Sequence, residues 1–127
     1  MTSPRILVVD DEPPILFALR DYFQGSGYEV DCASELEEAQ ALLAEEASYD
    51  LVIADLRLDA WSGTSGLELI RDVRDRCARS RILFLTAYGS PEIEAEALRR
   101  GADVFLHKPV ALPELAIIAA SLIERAS

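Results

Sequence analysis

Residues 6–23 read ILVVDDEPPILFALRDYF, and this stretch decides the fold. Residues 6–9 are all apolar, which is typical of a strand that is buried on both faces. Asp10 and Asp11 follow at once, and a segment with helical periodicity comes next. Adjacent like charges at the end of a buried strand repel each other, so their presence needs a functional explanation.

The same alternation of a short apolar run and a helix-period segment occurs five times. Strands are predicted over 5–10, 28–33, 50–55, 81–86 and 103–107, and helices over about 14–25, 35–47, 65–78, 91–100 and 113–126. The runs RILVVD, DLVIAD and RILFLT are nearly unbroken, which favours parallel strands covered on both faces. We therefore predict one α/β domain over residues 1–127, a doubly wound (βα)5 three-layer sandwich with right-handed crossovers.

Two helices carry cap signals at their ends. Ser34 and Glu37 have the spacing of a capping box at the start of the second helix. Ser90 followed by Pro91 is a typical start for the fourth helix, and Gly101 is a typical end.

Composition excludes several classes of function. The chain has 127 residues and a net charge of −11, and such a surface repels phosphate backbones, so direct nucleic-acid binding is not expected. No apolar run approaches the roughly 20 residues that span a bilayer, and the N-terminus lacks the pattern of a secretory signal. Cys32 and Cys77 form neither a disulfide framework nor a metal-ligand spacing, so we expect a cytoplasmic protein with reduced thiols.

Reactive side chains follow four of the five predicted strands. They are Asp10-Asp11, Asp55, Thr86 and His107-Lys108, whereas the second strand ends in Cys32-Ala33. Ligands of open parallel sheets bind beyond the carboxyl ends of the strands. Two carboxylates about 4 Å apart repel by roughly 4 kcal/mol at an effective dielectric constant near 20, and a divalent cation removes that conflict. Hard oxygen ligands predict Mg²⁺, or Mn²⁺ in its place.

Across essentially its full length the chain resembles the receiver domain of bacterial two-component response regulators. The matching residues are Asp10-Asp11, Asp55, Thr86 and Lys108-Pro109. The resemblance implies a flavodoxin-like sheet of strand order 2-1-3-4-5. It also implies a phosphorelay module that receives a phosphoryl group from a sensor histidine kinase or a phosphotransfer protein.

The resemblance assigns a phosphoacceptor and a metal site. Asp55 would be the nucleophile that becomes an aspartyl phosphate. Asp11 and Asp55 would bind the metal directly, the backbone carbonyl of Arg57 would be a third ligand, and Asp10 would act through water.

The resemblance also assigns the groups that stabilise and read the phosphoryl group. Lys108 would place its charge on a phosphoryl oxygen, and Thr86 would donate its hydroxyl to another. Movement of Thr86 would leave space for the aromatic switch residue Phe105, which changes the surface of helix 4, strand 5 and helix 5. The bond before Pro109 is expected to be cis. That surface would contact a downstream effector protein or an output domain, and a homodimer through helices 4 and 5 is a further option.

The chain departs from the family pattern after Asp55. Leu58 and Asp59 stand where the family usually has Met-Pro, and the loop, which holds Trp61, is about three residues longer. Arg57 and Tyr88 each lie two residues beyond a site residue. Both are large, so we expect them to hinder attacking water and to slow the loss of the phosphoryl group.

Other interpretations stay open at this point. Taken alone, Asp10-Asp11 also fits a helix cap, Lys108 a surface lysine and Phe105 core packing. A receiver-like interaction module without phosphorylation would use the same fold, but the intact set of site residues disfavours it. A dehalogenase-type aspartyl phosphatase needs a second Asp where Arg57 stands. A flavin binder would need a neutral loop where the acidic pair would repel the flavin phosphate.

Overall fold

The computed structural model describes residues 3–45, 49–55, 65–76, 79–87 and 90–126. Five strands and five helices alternate along these residues. The strands are β1 (Arg5–Asp10), β2 (Glu29–Ala33), β3 (Leu51–Asp55), β4 (Arg81–Thr86) and β5 (Val104–His107). The helices are α1 (Pro13–Gly25), α2 (Leu36–Glu45), α3 (Ser65–Arg76), α4 (Pro91–Arg100) and α5 (Leu112–Ala126).

The strands form one parallel sheet in the order β2-β1-β3-β4-β5. This confirms the predicted α/β sandwich and the strand order that the resemblance implied. No helix among the described residues is long and apolar enough to cross a bilayer.

Successive residues of β1 serve two separate cores, which explains its unbroken apolar sequence. Leu7 and Val9 pack with residues of α2, α3 and α4 on one face of the sheet. Ile6 and Val8 pack with residues of α1 and α5 on the other face. All four side chains are completely buried. A central strand covered on both sides cannot show polar alternation, because neither of its faces meets water.

Most helix and strand boundaries fall within one residue of the predictions, and the predicted helix ends at 46–47 and 77–78 lie outside the described residues. The cap of α4 is confirmed, because the Ser90 hydroxyl accepts the Ile93 N–H at 3.2 Å and Gly101 ends the helix with φ +121°. The capping box of α2 takes a different form. The helix begins at Leu36, and the Ser34 hydroxyl donates to the Glu38 side chain.

Candidate functional site

The carboxyl ends of β1 and β3 lie side by side, because Asp10 and Asp55 are partners in the parallel register. Neighbouring strands are about 4.8 Å apart, so the two backbones flank one small space. The strand order changes direction between β1 and β3, because β2 lies on one side of β1 and the later strands lie on the other. The helix α1 covers one face of the sheet there, and α2 and α3 cover the other face. A crevice at such a reversal is where open α/β sheets bind ligands.

Asp10 and Asp11 have different environments although they are adjacent. Asp10 is completely buried, and its Oδ1 accepts the backbone N–H of Glu12 at 2.8 Å. Asp11 is exposed directly after the end of β1. Neither residue is the cap of α1, because Glu12 holds that position and makes no side-chain cap bond. Burying a carboxylate is unfavourable unless a cation or strong donors compensate it, so the position of Asp10 fits a nearby cation.

Thr86 and Lys108 lie on the other side of Asp55, at the ends of β4 and β5. The Thr86 side chain is buried, and its carbonyl accepts the Lys108 N–H at 2.9 Å. The Lys108–Pro109 peptide bond is cis, as the resemblance implied. The structure therefore brings a hydroxyl and an ammonium group to the same edge of the sheet as the acids.

The donors at this edge suit a hard cation. Asp10, Asp11 and Asp55 carry carboxylates, which are the ligands that Mg²⁺ prefers. Only the backbone of Asp55 is described, and Arg57 lies outside the described residues. Among the side chains that are described, no group of three acidic, histidine or cysteine residues could hold a metal ion by itself. A complete metal site would therefore need the Asp55 side chain.

Phe105 of β5 is paired with Phe84 of β4 and is half-buried. Its ring stacks on Phe84, with centroids 5.4 Å apart and planes at 6°. The ring of His107 meets the Phe105 ring edge-on, with centroids 5.3 Å apart. His107 Nε2 also lies 3.5 Å from Glu94 Oε1 on α4. Phe105, the residue expected to switch, thus contacts Phe84 of β4 and also His107, which links β5 to α4 through Glu94.

Two observations were not part of the sequence prediction. Lys108 is the only lysine in the chain, since every other basic residue is arginine, and this signal was available from composition. A polar cluster around Arg74 and Asp103 also joins α3, β4 and β5 at the opposite edge of the sheet. Nothing in the sequence pattern links these two distant positions.

The remaining predicted positions lie outside the described residues. They are Arg57, the extended loop with Leu58, Asp59 and Trp61, and Tyr88.

An apolar groove adjoins the site between α1 and the segment that leads into α5. Its volume is about 400 Å³, and Lys108 is the charged residue among the described residues that line it. Ile15 and Ala18 of α1 form one wall, and Val110 and Leu112 form the other.

Comparison with known proteins identifies a family for this arrangement. The family model described as "Response regulator receiver domain" matches residues 6–120. The transcriptional regulatory protein ResD of Bacillus subtilis (strain 168) is 37% identical over 123 residues, which are 97% of this chain and 49% of that protein. The chain thus spans about half the length of this curated relative.

Solved structures agree with this comparison. A CheY-like response regulator receiver domain protein from Methanospirillum hungatei JF-1 aligns with a TM-score of 0.90 at 27% identity, covering 98% of this chain and 97% of that one. A Burkholderia pseudomallei response regulator with a phosphorylated aspartic acid, calcium ion and citrate aligns with a TM-score of 0.80 at 28% identity. That alignment covers 98% of this chain and 74% of the other.

Proposed function

The chain belongs to the response regulator receiver family, and from this premise we propose that it accepts a phosphoryl group on Asp55 and passes the signal on through protein contacts. Receiver domains are signalling modules and not enzymes of the usual kind. The observation that carries the proposal is the register that sets Asp55 opposite the buried Asp10, with Thr86 at the end of β4 and Lys108 directly after β5.

The transfer is a displacement at phosphorus. A carboxylate oxygen of Asp55 forms the new bond to phosphorus while the bond from phosphorus to the donor histidine nitrogen breaks. The bonding electrons stay on the imidazole, which takes up a proton. Asp55 lies in an acidic environment, so it needs positive charge nearby to receive the phosphoryl group.

Magnesium, when bound, would neutralise charge on the acids and on the phosphoryl oxygens. Asp11, Asp55 and the carbonyl of Arg57 would hold it, with Asp10 acting through water. The backbone bond from Glu12 fixes the orientation of the Asp10 carboxylate before any cation arrives.

Lys108 and Thr86 would stabilise the transferred group from the other side. Lys108 supplies a point charge for one phosphoryl oxygen, and the Thr86 hydroxyl can rotate to donate to a second. Donors held in place before the reaction lower its barrier because they need no reorganisation.

The output would follow from a change of packing behind Thr86. Phe105 is only half-buried and lies on Phe84, so it can rotate if Thr86 moves toward the phosphoryl group. The surface of α4, β5 and α5 would then change for a downstream effector or an output domain. Leu98 on α4 and Ile117 on α5 are 44% and 72% exposed, which supports this face as a contact surface, with a homodimer as one form of contact.

The groove beside Lys108 is the place where we propose that the phosphodonor protein docks. A donor histidine must approach Asp55 from this edge of the sheet, and the groove offers apolar area next to it. Asp11 and Glu12 are exposed at the start of α1, and Asp21 is exposed further along it. An apolar helix face with basic flanks, as part of a sensor kinase or a phosphotransfer protein, is complementary to this rim.

Incubation with acetyl phosphate and Mg²⁺, followed by intact mass, tests the proposal. We expect a gain of one phosphoryl group that is lost in Asp55→Asn and when the metal is chelated. Asp75→Asn is the matched control, because Asp75 is an exposed acid on α3. An unchanged mass for the wild-type protein would refute phosphoacceptor function.

A further inference from the structure

Helix α4 is attached to the rest of the domain very differently at its two ends. At its C-terminal end the Gly101 carbonyl accepts hydrogen bonds from Arg74 Nε at 3.1 Å and Nη2 at 2.6 Å. Arg74 Nη2 also lies 2.9 Å from Asp103 Oδ2, and its Nη1 donates to the Ser80 carbonyl. One half-buried guanidinium therefore joins the end of α4 to α3 and to the segments before β4 and β5.

Asp103 makes this attachment rigid. Its Oδ2 accepts the backbone N–H of Ile82 at 2.8 Å, and its Oδ1 lies 3.3 Å from Arg81 Nη1. Ala97, in the same half of α4, is completely buried. Charge-assisted bonds that are shielded from water and share acceptors hold their geometry better than isolated surface pairs.

The N-terminal half of α4 has a weaker attachment. Its ionic contact to the sheet among the described residues is Glu94 with His107, at 3.5 Å, and these side chains are 42% and 56% exposed. An exposed pair of this kind contributes little to stability.

The weaker end is also the end that lies nearer to the phosphorylation site. Ser90, the cap of α4, follows Thr86 by four residues in the chain. Rotation of Phe105 would remove the ring edge against which His107 rests. That rotation would weaken the contact between His107 and Glu94 at this end of the helix.

We propose that α4 moves as a lever that pivots at Gly101, with Arg74 holding the pivot and with the contact between His107 and Glu94 opening on phosphorylation. The inference rests on the proposed phosphoacceptor function and adds how the output face moves. A shift of the whole helix or an unfolding from its C-terminal end is excluded by this proposal.

Residue-resolved amide exchange by NMR tests the lever. The Ile93 and Glu94 amides bond to Ser90, and the Gly101 and Ala102 amides bond to Leu98 and Ala97, so both ends provide probes. With beryllofluoride and Mg²⁺ as the phosphoryl mimic, we expect exchange at the first pair to change by about tenfold while the second pair keeps its rate. Equal changes at both ends, or none at the N-terminal end, would overturn the pivot.

A variant at the pivot makes the test specific. Arg74→Lys keeps the positive charge but loses the planar set of N–H donors. In this variant the mimic should also change amide exchange at Gly101 and Ala102. Arg71→Lys is the matched control, because Arg71 is exposed on α3 and pairs only loosely with Asp75, at 3.9 Å. A wild-type pattern in Arg74→Lys would show that Arg74 does not hold the pivot.

The opening contact has its own readout, since His107 is the only histidine in the chain. Glu94 Oε1 lies 3.5 Å from His107 Nε2, so at a fixed pH Glu94→Gln should shift the ring-proton resonances of His107 in the unmodified protein. With the mimic bound, the difference in these His107 resonances between wild type and Glu94→Gln should disappear. A difference that persists would contradict opening. Fluorine NMR reports uptake of the mimic: no uptake would refute the phosphoacceptor function and the lever together, whereas uptake with a persisting difference would refute the lever alone.

Discussion

Asp10 lies directly opposite Asp55 at the last paired position of β1 and β3. The apolar residues before them lock this register, because a shift by one residue would exchange the two faces of a strand. Ile6 and Val8 would then face the wrong core, and so would Leu7 and Val9. The packing of the strands thus fixes the backbones of two acidic residues side by side, and the proposed metal site is based on this pair.

Asp10→Asn should weaken magnesium binding without unfolding the protein. The amide oxygen of Asn can still accept the Glu12 N–H, so the turn before α1 is kept while the charge is lost. Loss of a group that acts through water reduces metal affinity by about 10- to 100-fold. Titration calorimetry with MgCl₂ measures the change, with Asp21→Asn on the exposed face of α1 as the control. Wild-type affinity in Asp10→Asn would remove Asp10 from the metal site.

Lys108→Gln should slow phosphorylation by acetyl phosphate on the order of a hundredfold, because one preorganised donor is lost. Lys108→Arg should recover only part of the rate, since a planar fork does not replace a compact ammonium group. Intact mass followed over time gives the rates. Arg79→Gln serves as the control, because Arg79 is an exposed cation before β4. A wild-type rate in Lys108→Gln would mean that Lys108 is a surface lysine without a role in transfer.

The sheet and the acidic edge could be predicted from sequence because both depend on local patterns. Runs such as RILVVD identify buried strands, and the residue that ends each run marks the ligand edge. The Arg74 cluster and the contact between His107 and Glu94 could not be predicted, since each joins residues far apart in sequence. The prediction for Ser34 failed in a smaller way. The sequence pairs Ser34 with Glu37 in a capping-box pattern, but in the structure the Ser34 hydroxyl donates to the side chain of Glu38, one residue further on.

Gly101→Ala should destabilise the domain by about 1–3 kcal/mol, because Gly101 has φ +121° and an added Cβ would lie 2.7 Å from Arg74 Nε. Gly25→Ala is the matched control. Gly25 has open space around its Cβ position and ends α1 without a positive φ, so the change should be neutral or stabilising by up to about 1 kcal/mol. Urea unfolding of both variants measures the difference. Equal stabilities would contradict the tight contact at Gly101.

Cys32 should react with iodoacetamide at a higher pH than an ordinary exposed thiol does. Burial raises the pKa of the Cys32 thiol, although the nearby Arg20 opposes this rise. A raised pKa in the folded state favours the neutral thiol, so stability falls as pH rises through the pKa of the unfolded chain. Alkylation in a Cys77→Ser background should reach half its maximal rate at a higher pH in buffer than in urea. The same midpoint in both solvents would refute the effect of burial.

Ala18→Gln should slow phosphotransfer from histidine kinases that phosphorylate the wild-type protein, and it should leave acetyl phosphate labelling unchanged. Ala18 is exposed and lines the groove beside Lys108, so a longer polar side chain obstructs the apolar surface without disturbing the core. Glutamine is a good helix former, and the stability of α1 should stay within about 0.5 kcal/mol. Ala41→Gln on the exposed face of α2 is the matched control. Equal slowing with acetyl phosphate would place the defect at the phosphorylation site, and wild-type transfer from every kinase would show that the donor docks elsewhere.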